Sequence, residues 1–155
     1  MPDAGSSAPA FSGTTQHGKT ISLEDYAGKK LALYFYPRDN TPGCTIQACN
    51  LRDNYESLGR EGIAIVGVSD DSVESHDKFA TGRKLPFPLI ADTERIILNS
   101  YGVYGKKKMY GRKYMGTKRV TFLIDEKQII RKVFKKPKVS NHSAEIIQGF
   151  SDEDP

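Results

Sequence analysis

Leu31-Ala-Leu-Tyr-Phe-Tyr36 is an unbroken apolar and aromatic run, and Pro37 closes it. Such a run predicts a strand buried on both faces, as in the middle of a sheet covered by helices. Thr41-Pro-Gly-Cys-Thr-Ile-Gln-Ala-Cys49 follows after a short gap, and it predicts a helix from 41 to about 58 closed by Gly59. Thr41 suits the N-cap, Pro42 suits the first helical position, and Cys44 then falls in the first turn. Ile63-Ala-Ile-Val-Gly-Val68 is a second buried strand. A second helix is predicted from 72 to about 80, with Asp71 or Ser72 as its cap and Gly82 near its end.

Residues 1–30 are turn-rich, with a hairpin predicted at 16–19 and a helical turn at 22–26. Residues 87–90 form a short strand candidate and 93–101 a helical turn. Val120-Thr-Phe-Leu-Ile124 and Gln128-Ile-Ile-Arg-Lys-Val-Phe134 are two strands joined across 125–127. Ser140 or Asn141 caps a last helix to about 150, and the tail 151–155 is expected to fray. With about 83–118 set aside, the order is β-α-β-α-β-β-α. It predicts one α/β domain over 1–155, a mixed sheet with helices on both faces. This is the thioredoxin-like order, with an N-terminal extension and an insertion at about 83–118.

The 155 residues are 37% hydrophobic and 27% charged, a composition that supports a folded core. No apolar run is long enough to span a bilayer, and the first ten residues lack the pattern of a secretory signal. The expectation is therefore a cytoplasmic protein that makes no use of a membrane. The net charge is +4. Much of the excess lies in Lys106-Lys-Lys108, Arg112, Lys113, Lys118 and Arg119, interleaved with Tyr104, Tyr110 and Tyr114. That pattern admits nucleic-acid binding. The expectation adopted is a solvated loop rich in Lys and Gly, without a nucleic-acid partner.

Cys44 and Cys49 are the only cysteines. On a helical wheel, Ala48, Leu51, Tyr55 and Leu58 fall within about 40° of Cys44, forming an apolar stripe. Cys49 lies about 140° away on the polar face. Five residues apart on a helix, their Cα atoms are roughly 8–9 Å apart. A disulfide needs them within about 7 Å with converging Cβ vectors. The two thiols can join only if the helix unwinds, which disfavours a permanent staple and allows a switching pair. A core-filling role stays open for Cys44 but suits Cys49 poorly. Metal binding is not expected, because two thiolates cannot hold a cluster and His17, His76 and His142 are scattered; each is expected at the surface. At the helix start, Cys44 faces unpaired N–H groups and the positive end of the dipole, which favour the nucleophilic thiolate. Thr41 could be a plain cap, or its hydroxyl could bond the sulfur or a substrate oxygen.

Tyr34-Phe-Tyr-Pro-Arg-Asp-Asn-Thr-Pro-Gly-Cys-Thr-Ile-Gln-Ala-Cys49 closely resembles the active-site segment of peroxiredoxins, in the peroxiredoxin Q or bacterioferritin comigratory protein subgroup. Pro37, Thr41 and Cys44 match the Pro-x3-Thr-x2-Cys motif. Val66-Gly-Val-Ser-Asp70, Ser72-Val-Glu-Ser-His76, Leu85-Pro-Phe-Pro-Leu89, Lys107-Lys-Met-Tyr-Gly-Arg-Lys-Tyr-Met-Gly116 and Arg119-Val-Thr-Phe-Leu-Ile-Asp125 extend the match. The resemblance implies that Cys44 is the peroxidatic and Cys49 the resolving cysteine. It implies that Thr41 and helix-start N–H groups orient the peroxide, with Pro37, Pro42 and Gly43 around it, and that Arg119 stabilises thiolate and leaving oxygen. It further implies reduction of hydrogen peroxide and organic hydroperoxides, recycling by thioredoxin or a similar dithiol, no cofactor, and a monomer. Arg52 stands in a family-like context too, with a surface ion pair as its other reading. A general thiol–disulfide oxidoreductase of this fold is disfavoured, because such enzymes carry C-x-x-C and have Pro where Arg119 precedes Val120. A binding module built on the basic segment is the remaining alternative.

Overall fold

The computed structural model describes residues 1–152. Strands β1 (Ser12–Thr14) and β2 (Thr20–Ser22) form an antiparallel hairpin, and a 3-10 turn follows at Leu23–Tyr26. The sheet then begins with β3 (Lys30–Phe35), followed by helices α1 (Pro42–Asp53) and α2 (Tyr55–Arg60), strand β4 (Ile63–Ser69) and α3 (Val73–Arg83). Strand β5 (Leu89–Ala91), helix α4 (Ile96–Ser100) and strands β6 (Tyr104–Met109) and β7 (Arg112–Thr117) come next. The chain continues with β8 (Val120–Ile124), β9 (Ile130–Phe134) and α5 (His142–Asp152). The expected frayed tail lies, from residue 153 on, outside the described residues.

Five strands form the central sheet in the order β5-β4-β3-β8-β9. β3, β4 and β5 run parallel, β8 is antiparallel to β3, and β9 is antiparallel to β8. This is the mixed, thioredoxin-like sheet expected from the sequence. β3 shows why its run carries no polar alternation. Leu31, Leu33 and Phe35 pack on one face with Val66, Phe122, Ile97 and Tyr101. Ala32, Tyr34 and Tyr36 pack on the other with residues of α1, α3 and α5. Each such side chain, fully buried, contributes about 1.5–3 kcal/mol, so a central strand with two covered faces anchors both halves of the core. No described helix is long and apolar enough to cross a membrane.

Two elements differ from expectation. The helix predicted from 41 to 58 is broken at Asn54, whose backbone leaves helical geometry (φ −113°, ψ 15°). The Asn54 amide donates to the Asn50 carbonyl at 2.9 Å, a local bond that competes with continuous helix. The basic segment is also not a loop. β6 and β7 pair in register, Tyr104 opposite Thr117 and Met109 opposite Arg112, around a turn at Tyr110 and Gly111. Both turn residues have positive φ (53° and 78°), as two-residue hairpin turns require. Neither strand of this ribbon joins the central sheet, and most of β7 is exposed.

Candidate active site

The sheet brings the end of β3 and the start of β8 together. Their antiparallel register sets Phe35 opposite Val120, so Pro37, just past β3, and Arg119, just before β8, lie at the same end of the sheet. α1 starts from that end. Its N-cap is Thr41, Pro42 stands at the first helical position, and Cys44 falls in the first turn. The first i→i−4 bond runs from the Thr45 N–H to the Thr41 carbonyl at 2.8 Å. The N–H groups of Gly43 and Cys44 come before it, and helix-start N–H groups of this kind attract negative charge.

Cys44 is 1% exposed and shares its side of the core with Ala48, Leu51 and Leu58, as the apolar stripe predicts. It is nonetheless bonded to a cation. Arg119 Nη2 donates to Cys44 Sγ at 3.2 Å, and Nη1 donates to Gln47 Oε1 at 2.7 Å. Gln47, fully buried one turn along α1, thus aims the guanidinium. Its position beside the apolar stripe was the one sequence signal for this role, and only Arg119 gives it meaning. A Cβ at Gly43 would sit 3.1 Å from Arg119 Nη2, so the bare backbone there gives the guanidinium room. Burial, with Arg119 adding to it, pushes the Lys107 ammonium below its ordinary value, while Cys44 opposes the shift. Lys107 Nζ donates to the Thr117 carbonyl at 2.9 Å, on the ribbon's approach to Arg119.

The Thr41 hydroxyl makes no cap bond and donates instead to the Arg38 carbonyl at 2.9 Å. Pro37 and Arg38 line a cleft of about 480 Å³ with Lys107, Tyr114 and Thr117. Pro42 is exposed at the helix start. Both thiols are free, Cys44 buried and Cys49 half-buried, and α1 runs unbroken between them. Arg52 combines two roles, pairing with Asp53 at 2.9 Å and donating to the Arg83 carbonyl of α3 at 2.7 Å. Asn50 ties α1 to α5: its amide donates to the Ser140 carbonyl at 3.1 Å and its oxygen accepts from the Ser143 N–H at 2.8 Å.

Tyr34 lies under this site. Burial first, then Cys44 and Asp39, hold its phenol well above the ordinary value, so it stays neutral. Its hydroxyl, Gln47 Nε2 and Thr117 Oγ1 are buried without hydrogen-bond partners among the described residues. The histidines depart from expectation. His17 is exposed, but His76 and His142 are fully buried. His76 is held by Asp39 and the Ile90 carbonyl, and His142 by Thr121 and Glu145. Asp39, Asp71 and His76 are the one three-residue group of possible metal ligands among the described residues, with ligand atoms within 4.8 Å of one another. Their atoms are engaged in hydrogen bonds within the group and with Tyr36, Ser69 and Ser75.

A buried thiol at a helix start, bonded to an arginine, with a second thiol out of reach on the same helix, suits a nucleophile that is later resolved. Comparison with known proteins points the same way. The family model AhpC/TSA matches residues 4–133. Peroxiredoxin Bcp of Bacillus subtilis is 44% identical over 150 residues, covering 97% of this chain and 96% of the relative. A structure of Xanthomonas campestris bacterioferritin comigratory protein, described by its alkyl peroxide reduction activity, superposes with a TM-score of 0.88 at 30% identity, covering 98% of this chain and 100% of that one. A peroxiredoxin Q variant from Xylella fastidiosa gives a TM-score of 0.91 at 29% identity, with 98% and 97% covered. The chain belongs to the AhpC/TSA family, within its peroxiredoxin Q or bacterioferritin comigratory protein branch, and is a thiol peroxidase.

Proposed function

We propose that this thiol peroxidase reduces hydrogen peroxide and organic hydroperoxides through Cys44 and Cys49, and that thioredoxin or a similar dithiol recycles it. The observation that carries this reading is the 3.2 Å contact between Arg119 Nη2 and Cys44 Sγ at the start of α1. A thiolate there attacks the terminal oxygen of the hydroperoxide. The O–O bond breaks, an S–O bond forms, and water or an alcohol leaves after taking up a proton. Arg119 and the first-turn N–H groups face the oxygen on which charge develops. Thr41 would turn its hydroxyl from the Arg38 carbonyl to the bound peroxide. Pro37, Pro42 and Gly43 border the approach, and Pro42 shields the thiolate.

The second step needs α1 to open. Cys49 then attacks the Cys44 sulfenic sulfur, an S–S bond forms and water leaves. Two electrons from an external dithiol restore both thiols. Thiol chemistry of this kind requires no metal or organic cofactor. We propose further that the chain acts as one domain and as a monomer in the cytoplasm, without nucleic-acid or membrane partners. The alkyl peroxide activity in the description of the X. campestris relative supports the organic substrates.

The test is turnover of hydrogen peroxide with a thioredoxin system. Cys44→Ser should be inactive. Cys49→Ser should react once, giving a sulfenic acid that dimedone traps, and then fail to recycle. Normal turnover by Cys44→Ser would overturn the assignment.

A further inference from the structure

The loop 37–41 carries Pro37 and Thr41 into the site, and it is fastened at its middle residue. Asp39 is 8% exposed and belongs to a buried polar cluster. Tyr36 Oη donates to Asp39 Oδ1 at 2.6 Å. Ser75 Oγ donates to Asp39 Oδ2 at 2.8 Å, and His76 Nδ1 lies 2.6 Å from the same oxygen. The Asp39 N–H donates to Asp71 Oδ2 at 2.8 Å, and that oxygen also accepts from Ser69 Oγ at 2.6 Å. His76 Nε2 lies 2.9 Å from the Ile90 carbonyl, which can only accept, so Nε2 carries a hydrogen. The Nδ1–Oδ2 contact then holds a proton between ring and carboxyl. Burial, then Tyr34 and Asp39, push the Tyr36 phenol well above its ordinary value, which keeps it a donor.

The cluster joins Tyr36, just past β3, to residues of β4, α3 and β5 and grips the loop on the side facing α3. The bend itself lies at the next residue. Asn40 has φ of 62°, a left-handed conformation that Asn adopts more readily than most non-glycine residues. That bend turns the chain into the Thr41 cap and so fixes where α1 begins. At the far end of the cysteine stretch, Asn50 is tied to α5. The segment that must unwind therefore lies between two fixed points, Asp39 and Asn50.

We propose that Asp39 and His76, with Tyr36 and Ser75, are positioning residues that set the balance between the folded start of α1, which meets peroxide, and the unwound form, in which Cys49 reaches Cys44. The proposal rests on the peroxidase reading above. None of the four bonds the sulfur; they act through the bend at Asn40 and the cap at Thr41. Loosening the grip lowers the folded population, since a two-state element shifts by the differential interaction it loses. Peroxide reaction then slows while disulfide formation quickens.

The test follows the two steps separately by stopped flow. Cys44 oxidation by hydrogen peroxide is read in a Cys49→Ser background. Disulfide formation is read in the two-cysteine protein after a peroxide pulse. Asp39→Ala should slow the first step about tenfold and speed the second several-fold, since it removes several buried hydrogen bonds. Asp39→Asn, which keeps the shape and part of the bonding, should restore most of both rates. Ser75→Ala removes one bond, and should shift both rates in the same opposed directions by about two- to threefold. It guards against an Asp39→Ala chain that does not fold. Rates that are unchanged, or that fall together in step with thermal stability, would overturn the proposal. Failure of the underlying reading looks different: the unsubstituted protein would then form no sulfenic acid at Cys44.

Discussion

α1 and α3 both follow a parallel strand of the same sheet and pack on the same face, yet they begin differently. α3 starts at Ser72, whose hydroxyl accepts from the Ser75 N–H at 3.1 Å, and ends on Lys84 in left-handed geometry. It is closed at both ends by local bonds. α1 starts at Thr41, whose hydroxyl is turned back to Arg38, and its first turn carries Cys44 against Arg119. Its start depends on a cation just before β8 and a loop held by α3. On the function proposed above, the helix closed by its own residues is the scaffold, and the one whose start is held by distant groups is the one that reacts and then opens.

The largest effect that would break this contrast is loss of the cation. Arg119→Ala should lower the rate of Cys44 with peroxide by about 10²- to 10³-fold, the range for removing one group that stabilises developing charge. Stopped-flow kinetics would show it, and a loss under threefold would contradict the role. Gln47→Ala should act in the same direction by roughly tenfold, as a residue that orients another. The caps sharpen the comparison. Ser72→Ala should cost about 1 kcal/mol in urea unfolding and move the peroxide rate little. Thr41→Ala should do the reverse, with a smaller stability loss and a slower peroxide reaction. Equal stability losses would remove the distinction between the two helix starts.

The smallest effect concerns the fixed end of α1. Burial lowers the His142 pKa from the 6.5 of a free imidazole, with Glu145 opposing and Arg119 adding a smaller push downward. The unfolded chain then takes up a proton more readily than the folded one. This contribution to stability is complete above about pH 6.5 and erodes as pH falls below it. His142→Asn should flatten that slope between about pH 7 and 5, even if it lowers stability throughout. Urea midpoints across the range would decide.

Much of this was legible in the sequence because some signals are local. A strand buried on both faces, such as β3, has to be an apolar run, and Thr41-Pro42 marks a helix start on its own. The placement of Cys44 in the first turn and of Cys49 off the apolar stripe follows from helical geometry alone. Other features depend on partners distant in the chain. Nothing beside His76 announces Asp39, 37 residues away, so a surface position was the natural expectation. Gln47 acquires its role only when β8 brings Arg119 beside it. The β6–β7 ribbon is hard to read for the opposite reason. β7 is mostly exposed and β6 is half-buried or exposed where described, so the lysines carry no apolar alternation.

The central claim is that the disulfide requires the start of α1 to unwind while the rest of the scaffold stays intact. Amide hydrogen exchange of the reduced and peroxide-oxidised protein tests it directly, with mass analysis confirming the Cys44–Cys49 disulfide. The account predicts that residues 41–52 lose protection on oxidation while α3, over Val73–Arg83, keeps its own. Unchanged protection across α1 in the disulfide form would contradict it.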